Sequence, residues 1–253
     1  MIKKSTNQPT DVPAARRLIS RLGKKLPQQV NQVLQVQAGP VSLDANLYAP
    51  SHAEGLVVFV HGSGSSRNSP RNQYVAGELQ AVGLATMLFD LLTPEEEEMD
   101  LRTRHLRYDI SLLARRSIGA LDWLSQQEFA RGRNIGLLGA STGAAAALIA
   151  AAERPEMIGA VVTRGGRVDL AAAALPRVEA PVLLLVGQHD TAVLEVNQQA
   201  LVQMSSQHPK ELRIVPGASN LFEETGATEA AARLATEWFE RYLNAGIRQA
   251  NKG

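Results

Sequence analysis

From residue 30 onward, apolar and polar positions alternate in short blocks that change period along the chain. Residues 30–37 and 41–48 run apolar-polar-apolar, the period of strands with one face covered, and their spacing predicts an antiparallel hairpin at a sheet edge. Residues 56–60 (LVVFV) are continuously apolar, as a strand covered on both faces must be. Segments 84–89, 135–138, 158–162, 182–186 and 212–215 are further strands of that kind. Helix-length stretches separate them: 74–81, 110–124, 144–153, 193–204 and 228–243. In the second of these, Ile110, Leu113, Ser117, Leu121 and Leu124 share one face. Such alternation predicts an α/β fold: a mostly parallel sheet with helices on both faces, its functional residues gathered at the carboxyl ends of the strands.

The first 28 residues break the pattern. Lys3, Lys4, Arg16, Arg17, Arg21, Lys24 and Lys25 face one acid, Asp11. Asp11 can cap a short helix with Pro13 in its first turn and Val12, Ala15, Ile19, Leu22 and Leu26 on one stripe. We expect a basic leader over 1–28, a single domain over 29–245 and a tail over 246–253. A leader helix of this kind docks on its own domain or touches an acidic surface.

Composition narrows the class. The 253 residues are 45% hydrophobic and 20% charged, with a formal charge of +1, so no overall basic field favours nucleic acid. There is no cysteine, which removes disulfides, thiolate metal sites and a cysteine nucleophile. No apolar run reaches the roughly 18 residues of a membrane span, and the first residues lack a secretory h-region. The expectation is a cytoplasmic protein acting on a small molecule, its oligomeric state open.

Three strand ends carry candidate chemistry. Leu138-Gly139-Ala140-Ser141-Thr142-Gly143 reads strand, G-x-S-x-G, helix. Glycines at those positions permit a sharp turn that exposes the Ser141 hydroxyl as a nucleophile, although a serine in a turn is the plainer reading. His61-Gly62-Ser63-Gly64-Ser65-Ser66 follows an earlier buried strand. The N–H groups of Ser63 and Thr142 are the natural pair for an oxyanion hole. No Walker lysine follows that glycine loop and GxGxxG is absent, which disfavours phosphate cradling. Val186-Gly187-Gln188-His189-Asp190 ends a third strand, and Asp190 comes after Ser141 in the order expected of a triad acid. It can equally cap the helix that starts near residue 193.

These segments, HGSGSS, FDLLTPEEE, GAST-G, TRGGRVDL, VGQHD and PGASNLFEE, together resemble the α/β-hydrolase fold and, more narrowly, the dienelactone-hydrolase-like serine hydrolases of bacteria. The resemblance spans residues 30–243. It implies an eight-stranded sheet, and ester or lactone hydrolysis through an acyl-enzyme without a cofactor or metal. It places Ser141 as nucleophile, Asp190 as acid, and Ser63 with Thr142 as oxyanion donors. The chain departs from the family at two positions. True dienelactone hydrolases use a cysteine where Ser141 stands, and the family's base histidine falls at Asn220.

An amide is not a usable base at neutral pH. His52 and His208 precede their strands and so lie at the wrong edge, and His105 has no strand-end placement. His61 and His189 are at the right edge, the first tied to the oxyanion loop and the second adjacent to Asp190. The sequence therefore predicts a formed site with little activity, in which Asn220 can donate an N–H to Asp190 and accept from or donate to Ser141. A non-catalytic small-molecule-binding protein on the same scaffold is the alternative. The stretch between strands 158–162 and 182–186 is too short for a cap domain, which leaves the site open. Leu91 and Leu92 are expected to line an acyl pocket with His61 nearby. Arg164 can bind a substrate carboxylate, or pair, like Arg167, with Asp169 and its neighbours. The acidic run at 95–98 is expected to be a solvated loop or helix start.

Overall fold

The computed structural model describes residues 30–244; the leader expected at 1–28 and the tail expected at 246–253 lie outside them. Eight strands form one sheet: β1 (Val30–Ala38), β2 (Val41–Ala49), β3 (Gly55–Val60), β4 (Ala85–Phe89), β5 (Asn134–Ala140), β6 (Ile158–Arg164), β7 (Val182–Gly187) and β8 (Lys210–Val215). Their spatial order is β1-β2-β4-β3-β5-β6-β7-β8. The hairpin β1–β2 is antiparallel, β2 meets β4 antiparallel, and every later pairing is parallel. The order reverses around β3, which puts crevices for a ligand at the carboxyl ends beside it.

Among the described residues six α-helices cover the sheet: α1 (Pro70–Ala81), α2 (Pro94–Thr103), α3 (Ile110–Leu124), α4 (Thr142–Glu153), α5 (Thr191–Gln203) and α6 (Ala227–Leu243). The continuous apolar run of β3 follows from this two-sided cover. Leu56, Val58 and Val60 enter one core with side chains from α3, α4 and α5, while Val57 and Phe59 enter the other with α1 and α6. Helix α4 lies close on the sheet because Ala144, Ala145, Ala146 and Ala147 are fully buried and small. Ala is also the residue least costly to hold in a helix.

The acidic run does become a helix start. Thr93 accepts from the Glu96 N–H at 3.3 Å and the Glu96 carboxylate accepts from the Thr93 N–H at 2.9 Å, a capping box with Pro94 in the first turn. Glu96 also pairs with the buried Arg116 at 2.6 Å. Farther along α2, Asp100 is buried. Burial pushes its carboxyl up, but hydrogen bonds from the Arg107 side chain and the Leu106 and Arg107 N–H groups outweigh that and hold it below the ordinary value. Among the described residues no helix is long and apolar enough to cross a membrane.

Candidate active site

Ser141 sits between the last residue of β5 and the first of α4, with φ 50° and ψ −123°. A β-carbon in this region is strained, and the flanking contacts hold it there. The Ser141 N–H donates to the Arg164 carbonyl at 3.3 Å, and its carbonyl accepts from Arg167 at 3.1 Å and Ala144 at 3.2 Å. The glycines make this turn sterically possible. A Cβ on Gly139 would lie 2.6 Å from the Ala144 Cα, and one on Gly143 would lie 2.2 Å from the Val60 carbonyl oxygen. Those obstacles are backbone and cannot swing aside. Gly143→Ala is expected to cost about 3 kcal/mol or more of stability, beyond the usual overpacking penalty, read as a lowered denaturation midpoint.

Loop 62–66 arrives at the turn from β3. Gly62 lets it touch, since a Cβ there would come 2.7 Å from the Ser141 Cβ. The Ser63 N–H donates to the Thr142 side-chain oxygen at 3.2 Å, so the two candidate oxyanion residues are in contact. Thr142 opens α4, and its N–H has no intrahelical acceptor. The buried Asn72 of α1 supports the loop, donating to the Ser65 hydroxyl at 3.2 Å and the Ser66 carbonyl at 3.3 Å.

His61 is committed to structure. Its Nε2 accepts from the Leu91 N–H at 3.2 Å, which leaves Nδ1 to donate to the Gly62 carbonyl at 3.0 Å. Burial lowers its pKa, an effect only partly offset by the Gly62 bond and by Asp90 and Glu97. Both ring nitrogens are thus in use within the loop that they organise.

Asp190 takes up one of the two roles that the sequence offered, the helix cap. One carboxylate oxygen caps α5, accepting from the Val193 N–H at 3.3 Å. The other, Oδ2, is buried and has no hydrogen-bond partner among the described residues. A buried acceptor without a donor is costly and asks for an explanation. In a complete triad that oxygen would take the N–H of an imidazole. The expected bond from Asn220 to Asp190 is not made, which corrects the sequence reading.

The turn carrying Asn220 is nevertheless closely fixed. Gln188 accepts from the Gly217 N–H at 2.9 Å, and the His189 N–H donates to the Ala218 carbonyl at 2.9 Å. Gly187 leaves room for this crossing, because a Cβ there would lie 2.4 Å from the Ser219 carbonyl. Ala218 and Phe222 on either side are fully buried, Phe222 with φ 53°. Residue 220 is exposed and lines one cleft with Gly62, Ser63, Ser141 and Arg164. His189 is exposed on the same edge, in the electrostatic reach of Glu224.

Leu92 falls elsewhere. With Leu91 and His61 it lines a second cavity that shares Gly62, Ser63 and Ser65 with the first and extends toward Asp100 and Arg107. The loop lies between Leu92 and Ser141, so the expected acyl pocket is a neighbouring cavity rather than a wall of the Ser141 cleft. Arg167 pairs with Asp169 through two bonds of 2.9 and 2.7 Å, whereas Arg164 has no ion-pair partner among the described residues and donates to the Asn72 side-chain oxygen at 3.3 Å. Arg71 of α1, which nothing in the sequence marked, joins the cleft and pairs with Glu223 at 3.1 Å. Among the described residues no cluster of three or more histidines and acids is placed to hold a metal.

A model of the dienelactone hydrolase family matches residues 43–245. The chain belongs to the dienelactone hydrolase family. A crystal structure of dienelactone hydrolase from Anabaena variabilis is 57% identical, covers 86% of this chain and 100% of its own, and superposes with a TM-score of 0.83. An esterase of Pyrococcus furiosus shares the fold at 15% identity, with a TM-score of 0.68 over 95% of this chain and 99% of its own. A putative phosphoribosyl transferase of Mycobacterium tuberculosis is 50% identical over 213 residues, 84% of this chain and 47% of that protein. The chain thus spans about half the length of the curated relatives that it matches. Dienelactone hydrolase family members of this architecture share the α/β-hydrolase scaffold, and the mostly parallel eight-stranded sheet is that scaffold.

Proposed function

We propose that this chain is a serine hydrolase of carboxylic esters or lactones whose turnover is limited at residue 220. Ser141 attacks the carbonyl, and the Ser63 and Thr142 N–H groups receive the developing oxyanion, Ser63 turning its N–H from the Thr142 hydroxyl to the substrate. Asp190 is the acid meant to orient an imidazole. With Asn220 in that place, nothing removes the Ser141 proton efficiently, and the acyl-enzyme forms slowly. Residues 29–245 work as one hydrolase unit. His61 holds the oxyanion loop, and Leu92 shapes the adjoining cavity for longer acyl groups.

The observation that carries this reading is the buried, unpartnered Oδ2 of Asp190 at the same sheet edge as the Ser141 turn. Most buried carboxylate oxygens are hydrogen-bonded, so this one is a place where a donor would be welcome. The phosphoribosyl transferase name of the mycobacterial relative is not carried over, because this chain covers only 47% of that protein.

The test is hydrolysis of short p-nitrophenyl esters by this chain and by Asn220→His. A gain of several orders of magnitude supports the reading. If neither protein hydrolyses any ester while a small acyl compound raises the melting temperature, the chain is a binding protein on a hydrolase scaffold.

A further inference from the structure

Asn72 is buried in the first turn of α1, 3% exposed, and among the described residues its side chain bonds only to groups of the candidate site. Its Nδ2 donates to the Ser65 hydroxyl at 3.2 Å and the Ser66 carbonyl at 3.3 Å, and its Oδ1 accepts from Nη2 of Arg164 at 3.3 Å. These partners fix the orientation of the amide. A guanidinium only donates and a carbonyl only accepts, so the oxygen must face Arg164 and the nitrogen must face Ser66. A carboxylate could serve Arg164 but not the carbonyl, and an alkyl group could serve neither.

Each end of this bridge reaches one half of the candidate reaction centre. Ser65 closes a tight turn, its N–H donating to the Gly62 carbonyl at 3.2 Å, with Ser63 and Gly64 between them. Gly64 has φ 73°, which a side chain would strain. His61 ties the front of the turn by donating to the Gly62 carbonyl, and Asn72 ties its rear. The direction of the Ser63 N–H follows from those two anchors. At the other end, the backbone carbonyl of Arg164 accepts from the Ser141 N–H at 3.3 Å. The amide therefore joins the loop that carries Ser63 to the strand end that holds Ser141. Val75, Ala76 and Leu79 sink the same helix into the core with Phe59, so the bridge rests on a fixed frame.

We propose that Asn72 is a positioning residue for the oxyanion hole, setting the gap between the Ser63 N–H and the Ser141 turn. It lines neither cavity and so acts without meeting substrate. The gap is narrow, since the Ser63 N–H already reaches the side-chain oxygen of Thr142 at 3.2 Å. A misplacement of about 1 Å at such a donor costs on the order of 10²-fold in rate. The inference rests on the hydrolase reading for the roles of Ser63 and Ser141, but the hold on the loop can be measured without turnover.

The kinetic test combines Asn220→His, which supplies a rate large enough to lose, with Asn72→Ala and Asn72→Asp. Alanine removes both arms of the bridge. Aspartate keeps an acceptor for Arg164, now charged, but has no proton for the Ser66 carbonyl. Both are expected to lower kcat on p-nitrophenyl acetate by about tenfold to a hundredfold while KM changes less than about threefold, the pattern of an interaction made only in the transition state. Asn72→Asp is expected to do so with its melting temperature held, because its carboxylate pairs with the guanidinium. A residue that only filled the core would lose melting temperature and kcat together and regain both in Asn72→Asp.

Hydrogen exchange read by mass spectrometry follows the loop itself in the chain with Asn220. Amides of residues 62–66 are expected to exchange at least about tenfold faster in both Asn72 variants, while those of β5 keep their rates. If Asn72→Asp does not fold, Asn72→Ala decides through the split between kcat and KM and through exchange. Unchanged exchange at 62–66, or a kcat within about threefold of the parent in a folded variant, overturns the inference. Its failure is separable from that of the hydrolase reading. Asn220→His that hydrolyses esters equally well with either Asn72 variant sinks the positioning role alone. Asn220→His that hydrolyses nothing sinks the hydrolase, and exchange at 62–66 still decides whether Asn72 holds the loop.

Discussion

Asn220→His is expected to raise kcat/KM on p-nitrophenyl acetate by about 10³-fold or more, with a ceiling near the roughly 10⁶-fold that a triad base contributes to turnover in subtilisin. The expectation of a large gain comes from what is already in place. The Ser141 turn is held with a positive φ, loop 62–66 touches it, and one Asp190 oxygen is buried without a donor among the described residues. The turn that would carry the imidazole is pinned by Gln188, His189, buried Ala218 and buried Phe222. An imidazole introduced there should find its orienting acid waiting, and only the last fraction of the gain depends on fine geometry. The measurement is steady-state hydrolysis with purified proteins, with rates compared after subtracting the uncatalysed reaction.

Ser141→Ala is expected to have very unequal consequences in the two backgrounds. In Asn220→His it should remove the whole gain, about 10³-fold or more, because nucleophile and base act as one unit. In the chain as it stands it should change the residual rate less than about tenfold, since that rate comes from the oxyanion hole and binding rather than from a proton-relayed attack. Such non-additivity separates an assembled triad from an adventitious basic group near the cleft. Four proteins measured on one ester give the complete cycle.

Much of this site was legible in the sequence because short-range pattern and strand-end placement determine it. The G-x-S-x-G turn, the glycine loop after β3 and Asp190 after β7 each follow an apolar run, and a parallel sheet brings such ends to one edge. What escaped the sequence depends on side-chain reach across the fold. Arg71 lies on α1 and meets the turn of Asn220 only because α1 and α6 pack on the same face. Asn72 looked like any polar helix residue, yet it joins Ser65 to Arg164. Leu92 was placed at the right strand end but on the far side of a loop whose path the sequence does not reveal. Helix α2 is mostly exposed and lacks an apolar stripe, so periodicity could not announce it. Its signal was the Thr93-Pro94-Glu95-Glu96 capping box instead. The missing bond between Asn220 and Asp190 is a matter of side-chain placement, which the sequence does not carry.

The central claim is that Ser141 stands in a formed hydrolase site that lacks only its base. Labelling by an activated fluorophosphonate, with the adduct located by peptide mass spectrometry, tests it most directly. The account predicts stoichiometric labelling of Ser141 in Asn220→His and a rate on the order of 10³-fold slower in the chain as it stands. Equally rapid labelling of Ser141 in both proteins would mean that another group already takes its proton. That result would contradict the account.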